Sequence, residues 1–162
     1  MKSAPSALHD DELLIERTFD APLALVWRLW ESPDHMIRWW GPEKFTTTAI
    51  DWALAPGKAW RATMVSTQHG VSRMSGIVQE VARHKHIIFS FAWDNDSGRG
   101  METVITVTFT ERDGKTAQSF HQTPFASVQS RDSHFGGWTS LINKQQVYFE
   151  NLAIAESKGL RV

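Results

Sequence analysis

The sequence contains no cysteine among its 162 residues. That excludes a disulfide frame, a thiolate nucleophile and any cysteine-ligated zinc or iron–sulfur site. It also lacks an excess of charge. Lys and Arg number 17 against 18 Asp and Glu, a formal net charge of −1, and they are scattered, so no basic stripe is present to neutralise phosphates and no polybasic end to hold an anionic membrane. Nucleic acid and membrane are therefore not expected as partners. No apolar run approaches the roughly 20 residues of a membrane span, and Met1–Leu8 carries no stretch of signal-peptide type. These absences together point to the cytoplasm. Tyrosine is scarce as well, a single residue against eight Trp and nine Phe. Such a load of rings means either a bulky core or a cavity lined by them. The length suits one domain able to bury roughly two-thirds of its unfolded surface, read here as a disordered tail over 1–10 and a single domain over 11–158.

Leu13, Ile15 and Phe19 alternate in a short strand ending at Asp20-Ala21-Pro22. Pro22 suits a first helical turn, and Leu23, Val26, Trp27 and Trp30 recur at helical spacing. Ser32-Pro33 caps a second short helix carrying Met36, Trp39 and Trp40, stopped by Gly41-Pro42. From Phe45 to Thr123 the period changes to two, with turns at Ala55-Pro56-Gly57, Gln68-His69-Gly70, Arg83-His84-Lys85, Asp94 to Gly98 and Arg112-Asp113-Gly114. This predicts six further strands of an antiparallel meander. Its buried face carries Trp60/Ala62/Met64, Gly76/Val78, Ile87/Phe89/Phe91/Trp93 and Ile105/Val107/Phe109, and its wet face Arg61/Thr63, Arg73/Ser75, Ser90 and Thr106/Thr108. A helix from about Asp132 to Ser157 presents Trp138, Leu141, Ile142, Phe149 and Leu152 on one side, long enough to cross the sheet. The fold class is α+β, a helix-grip arrangement in which a curved antiparallel sheet wraps a long C-terminal helix, with two short helices between the first and second strands.

Candidate chemistry is sparse. The seven His show no i, i+4 pair beside a carboxylate, so neither a metal nor a cofactor is implied. No Ser sits in a Gly-x-Ser-x-Gly elbow. Asp94-Asn95-Asp96-Ser97-Gly98 lacks the closing acid of a calcium loop. Glu80, on the face of Gly76 and Val78, is the one carboxylate with a route into the interior, as an acid or base of raised pKa. The alternative is an ion pair with Arg83 or Lys85. Trp40, beside a Gly-Pro turn at a helix end, is either a gate at a pocket mouth or a plug of the core.

Arg17-Thr18-Phe19-Asp20-Ala21-Pro22 with Val26-Trp27, Arg38-Trp39-Trp40-Gly41-Pro42, Pro56-Gly57 before Trp60, Gly76 with Glu80-Val81, and Gly137-Trp138 occur in this order from Ile15 to about Leu152. The set resembles the START-like superfamily (Bet v-type, polyketide-cyclase-like, SRPBCC), in its branch related to the activator of the ninety-kilodalton heat-shock chaperone's ATPase. The resemblance implies a seven-stranded sheet gripping the last helix and a groove for lipids, polyketides or other apolar small molecules. Stimulation of the chaperone belongs, in that branch, to particular eukaryotic members with an additional domain. The sequence departs from the family pattern at Ala55 and Lys58, where Arg and Gly are usual, and at Gln118 and Gln145, where Leu is usual. Gln122 shares the strand face of Gln118.

A buried amide without partners costs about 1 to 3 kcal/mol, so glutamines aimed at one core imply a wet, polar pocket end facing a polar ligand group. The other reading is a strand register shifted by one, or a Gln122 beyond the core. The expectation is a binding protein for a small, mostly apolar molecule with a polar end, without an evident catalytic apparatus. Its ligand contacts are expected from Trp40, Trp60, Met64, Phe89, Phe91, Val107, Gln118, Phe120, Gln122, Trp138, Gln145 and Phe149. A cyclase- or dehydratase-like enzyme using the same pocket and a chaperone-linked interaction module remain as alternatives, and a homodimer stays open.

Overall fold

A computed structural model describes residues 8–159; most of the expected tail, positions 1–7, lies outside the described residues. Strand β1 (Leu13–Phe19) leads into helices α1 (Leu23–Arg28) and α2 (Pro33–Trp39). Strands β2 (Thr46–Asp51), β3 (Ala59–Ser66), β4 (Gly70–Ala82), β5 (His86–Asn95), β6 (Gly98–Arg99), β7 (Thr103–Arg112) and β8 (Lys115–Thr123) follow, and helix α3 (Val128–Ser157) is the last element among the described residues. The sheet runs β1-β8-β7-β5-β4-β3-β2, with the two-residue β6 attached only to β5. Every pairing is antiparallel. The sheet is a curled half-barrel of seven strands holding the long helix, with two short helices after the first strand.

Local chemistry accounts for the boundaries. Pro22 precedes α1 in an extended conformation. The Ser32 hydroxyl accepts the His35 backbone N–H at 3.4 Å at the start of α2, and Ser127 accepts that of Ser130 at 3.0 Å at the start of α3. The latter cap moves the helix start to Val128, four residues before the expected Asp132. The first turn is not legible as an apolar stripe because Val128 is exposed. With 30 residues, α3 is roughly 45 Å long at 1.5 Å per residue, and it buries Trp138, Leu141, Ile142, Gln145, Phe149 and Leu152.

The backbones of β4 and β5 approach closely at Gly76. A side chain on Gly76 would place its Cβ 1.9 Å from the Ser90 backbone oxygen, so only glycine permits this approach. The Trp60 indole N–H donates to that same oxygen at 2.8 Å, and the Ser90 hydroxyl accepts the Ile77 N–H at 2.8 Å. Ser90, expected on the wet face, is therefore buried. It replaces a missing ladder bond rather than meeting water. A register shift between Val78 and Glu80 follows. It turns Glu80 outward, where it pairs with His86 and not with Arg83 or Lys85. Glu80 is thus not a carboxylate of the interior. Trp93, expected inward, is only half-buried. No helix among the described residues is long and apolar enough to cross a membrane.

Candidate functional site

A cavity with a predominantly apolar lining lies between the sheet and the first half of α3. The cavity holds about 350 Å³. Trp40, Gly41, Pro42 and Phe45 close it from the segment joining α2 to β2; Met64 of β3, Ser72 and Met74 of β4 and Trp93 of β5 form the floor; Ser133, His134, Gly137, Trp138 and Leu141 of α3 form the roof. Gly41 has φ of +93° and would set a Cβ 3.3 Å from the Met64 sulfur, so glycine keeps that wall thin.

Of the residues expected to bind ligand, Trp40, Met64 and Trp138 line this cavity. Trp40 is both wall and plug. It is 1% exposed, its ring meets those of Trp60 and Trp138 edge-on at 5.6 and 5.5 Å, and its indole N–H points at the Met74 sulfur at 3.4 Å. Trp60, Phe89, Phe91, Val107, Phe120 and Phe149 are buried in the core behind the cavity and are not among its lining residues. Phe91 and Phe120 pack on Trp138 at 5.6 and 4.7 Å, and Trp60 on Phe89 at 5.6 Å. Phe149 stacks edge-on against Phe19 at 5.5 Å.

The three glutamines point into the core, as the strand and helix periods predict, with exposures of 1% for Gln118 and 0% for Gln122 and Gln145. Gln118 and Gln145 do not face one another across space, however. They touch. The Trp30 indole N–H donates to Gln118 Oε1 at 3.1 Å, and Gln118 Nε2 donates to Gln145 Oε1 at 2.8 Å. Gln145 Nε2 is left without a partner among the described residues. The Trp138 indole likewise donates to Gln122 Oε1 at 2.6 Å, and Gln122 Nε2 to the Thr103 hydroxyl at 2.8 Å, which donates to the Phe91 carbonyl at 3.2 Å.

Sequence reasoning did not single out His134, the most polar group on the cavity wall. Its Nδ1 lies 2.7 Å from the Ser130 carbonyl, and its Nε2 2.9 Å from the Trp93 indole nitrogen. A carbonyl only accepts and an indole only donates, so Nδ1 carries the proton and Nε2 accepts. Phe125 packs on the ring at 5.0 Å. With both nitrogens engaged, the imidazole orients Trp93 and has no free lone pair with which to take a proton from a ligand. The signal for His134 was available in its position four residues before Trp138, on the same helix face. No group of three His, Asp or Glu among the described residues is arranged to hold a metal.

Residues 20–150 match the family model described as Activator of Hsp90 ATPase homolog 1-like protein. Among solved structures, the AHSA1 protein of Silicibacter pomeroyi is 23% identical, with a TM-score of 0.78 over 88% of this chain and 98% of its own. A protein of Chromobacterium violaceum is 17% identical, with a TM-score of 0.79 over 88% and 99%. One of Mycobacterium smegmatis is 19% identical, with a TM-score of 0.74 over 93% and 95%. Among curated proteins none matches. The structural likenesses establish the fold, the sequence match covers most of the chain, and the chain belongs to the Activator of Hsp90 ATPase homolog 1-like family, within the START-like (SRPBCC) superfamily.

Proposed function

We propose that the protein binds a small, mostly apolar molecule with one polar end in the cavity between the sheet and the first half of α3. The lining carries the reading. Four aromatic rings, two thioethers, a proline and a leucine are set against the Ser72 and Ser133 side chains and an imidazole already engaged at both nitrogens. About 350 Å³ falls toward the small end of ligand sites, which run from roughly 300 to 1,000 Å³. A hydroxyl can donate and accept, so Ser72 and Ser133 suit an alcohol, carbonyl or carboxyl end equally. Binding is favoured over catalysis because the imidazole on the wall has no free lone pair to act as a base.

Gly137 supplies the test. It lines the cavity, and a Cβ built there meets nothing within 4 Å. Gly137→Leu places an isobutyl group in the space while improving helix propensity by about 1 kcal/mol. The expected result is loss of binding of an apolar fluorescent probe or a medium-chain fatty acid, with an unchanged or raised melting temperature. Gly136→Leu, equally unobstructed but absent from the lining, should leave binding intact. Equal binding by the parent and both variants would reject the cavity as the site.

A further inference from the structure

On the outer side of the same helix, facing away from the sheet, α2 and α3 enclose a second groove of about 450 Å³. Polar and charged side chains dominate its lining, beside the exposed Val147 and with Asn151 at one end. Arg38, Glu43, Ser140, Asn143, Lys144 and Tyr148 line it. Among the described residues, neither Arg38 nor Lys144 lies within ion-pair distance of a carboxylate, including that of Glu43 on the rim. Lys144 is partly buried and, among the described residues, reaches only the Trp40 carbonyl, at 3.4 Å. Burial alone pushes its ammonium below the usual lysine range. An ammonium removed from water and left without a counter-charge is a costly arrangement that an anion relieves.

Two of the neutral groups, Ser140 and Asn143, are oriented to donate, while the Tyr148 hydroxyl is engaged with His35 Nδ1 at 2.7 Å. Ser140 Oγ accepts the Glu43 backbone N–H at 2.6 Å, which leaves the hydroxyl proton free. Arg17 donates to Asn143 Oδ1 at 2.8 Å and to Gln146 Oε1 at 2.7 Å. A guanidinium cannot accept, so the Asn143 oxygen is fixed toward it and the amide NH₂ remains to donate elsewhere. Arg17 also brings a third cation to the groove's edge. Arg38 is close enough to Tyr148 to favour its phenolate, although burial dominates and raises that hydroxyl's pKa. Two cations, a hydroxyl and an amide share one concavity, and among the described lining residues the Glu43 carboxylate is the one anionic group.

We propose that this outer groove binds a small oxyanion, the phosphate or carboxylate group of a soluble molecule, held by Arg38 and Lys144 with Ser140 and Asn143 as neutral donors. The site is separate from the apolar cavity. The Trp40–Pro42 segment stands between them, with its ring on one side and its carbonyl under Lys144 on the other.

The full chain, isotope-labelled, is titrated with inorganic phosphate and separately with acetate, at constant ionic strength held with chloride. Saturable shifts confined to 38–43 and 140–151 are expected. Arg38→Gln, exposed at the end of α2, and Lys144→Gln should each weaken the phosphate affinity about tenfold, the loss of one charge-assisted hydrogen bond. Lys58→Gln, on a distant exposed turn, should leave it unchanged, and so should Gly137→Leu, so that failure of the cavity reading and failure of this one are told apart. Shifts that never saturate, an equal response to chloride, or an unaltered affinity in Arg38→Gln would overturn the site. The last outcome does not depend on whether Lys144→Gln folds.

Discussion

The two hydrogen-bond relays in the core are built alike and end differently. Each starts at an indole N–H, passes through a glutamine of β8 and leaves by that glutamine's NH₂. The relay through Gln122 finishes on the Thr103 hydroxyl and the Phe91 carbonyl. The relay through Gln118 finishes on Gln145, whose own NH₂ has no partner among the described residues. Because an indole only donates, each tryptophan fixes which way its glutamine points, and polarity runs in one direction along the relay. What differs is whether the far end meets an acceptor. The satisfied relay is anchored to strand backbone; the unsatisfied one ends on α3, where the carbonyls are already committed to the helix.

Phe120 lies between Gln118 and Gln122 on the inward face of β8. It is fully buried, packs on Trp138 at 4.7 Å and does not line the cavity. Phe120→Ala is expected to cost about 3 to 5 kcal/mol, the range for a ring removed from solid core. Urea denaturation measures it. A loss under about 2 kcal/mol would mean that space already borders the ring, contrary to its close packing on Trp138.

Gln118→Leu is expected next in size. It strands the Trp30 N–H and leaves the whole Gln145 amide unpaired, at about 3 kcal/mol in total. Gln122→Leu should cost less, about 1 to 2 kcal/mol. It strands the Trp138 N–H alone, since Thr103 keeps its bond to Phe91. The order is the test: equal losses would show that the two relays do not differ in what depends on their central glutamine.

Much of the fold is legible in the sequence because its signals are local. Period-two alternation, the turn residues and the Ser32-Pro33 cap all act within a few positions, and inward burial of Gln118, Gln122 and Gln145 follows from the same periods. Three things are not local. Ser90 is buried because Gly76, on the neighbouring strand, lets two backbones meet, and the bulge beyond Val78 reverses Glu80. The glutamines' donors, Trp30 and Trp138, lie 88 and 16 residues away from them in sequence, so burial was readable and pairing was not. The cavity's place depends on which rings fill the middle of the sheet. Trp60, Phe89, Phe91 and Phe120 do so, and the cavity lies at the end roofed by Ser133 to Leu141.

The smallest expected effect is also the most discriminating for the unsatisfied relay. Gln145→Leu removes one unpaired NH₂ and creates another, on Gln118, whose Nε2 loses its acceptor. One stranded amide replaces another, so stability should change by no more than about 1 kcal/mol. The double variant Gln118→Leu, Gln145→Leu does not restore a wholly apolar lining, because the Trp30 N–H remains without an acceptor. It should nevertheless lose less than Gln118→Leu alone, by about 1 kcal/mol or more, since Gln145 is no longer left behind as a buried amide. Denaturation of the parent, both single variants and the double completes the cycle. A cost of about 2 kcal/mol or more for Gln145→Leu would mean that its NH₂ is hydrogen-bonded in solution, by water or by a bound molecule. The two relays would then be equivalent after all, each ending on an acceptor.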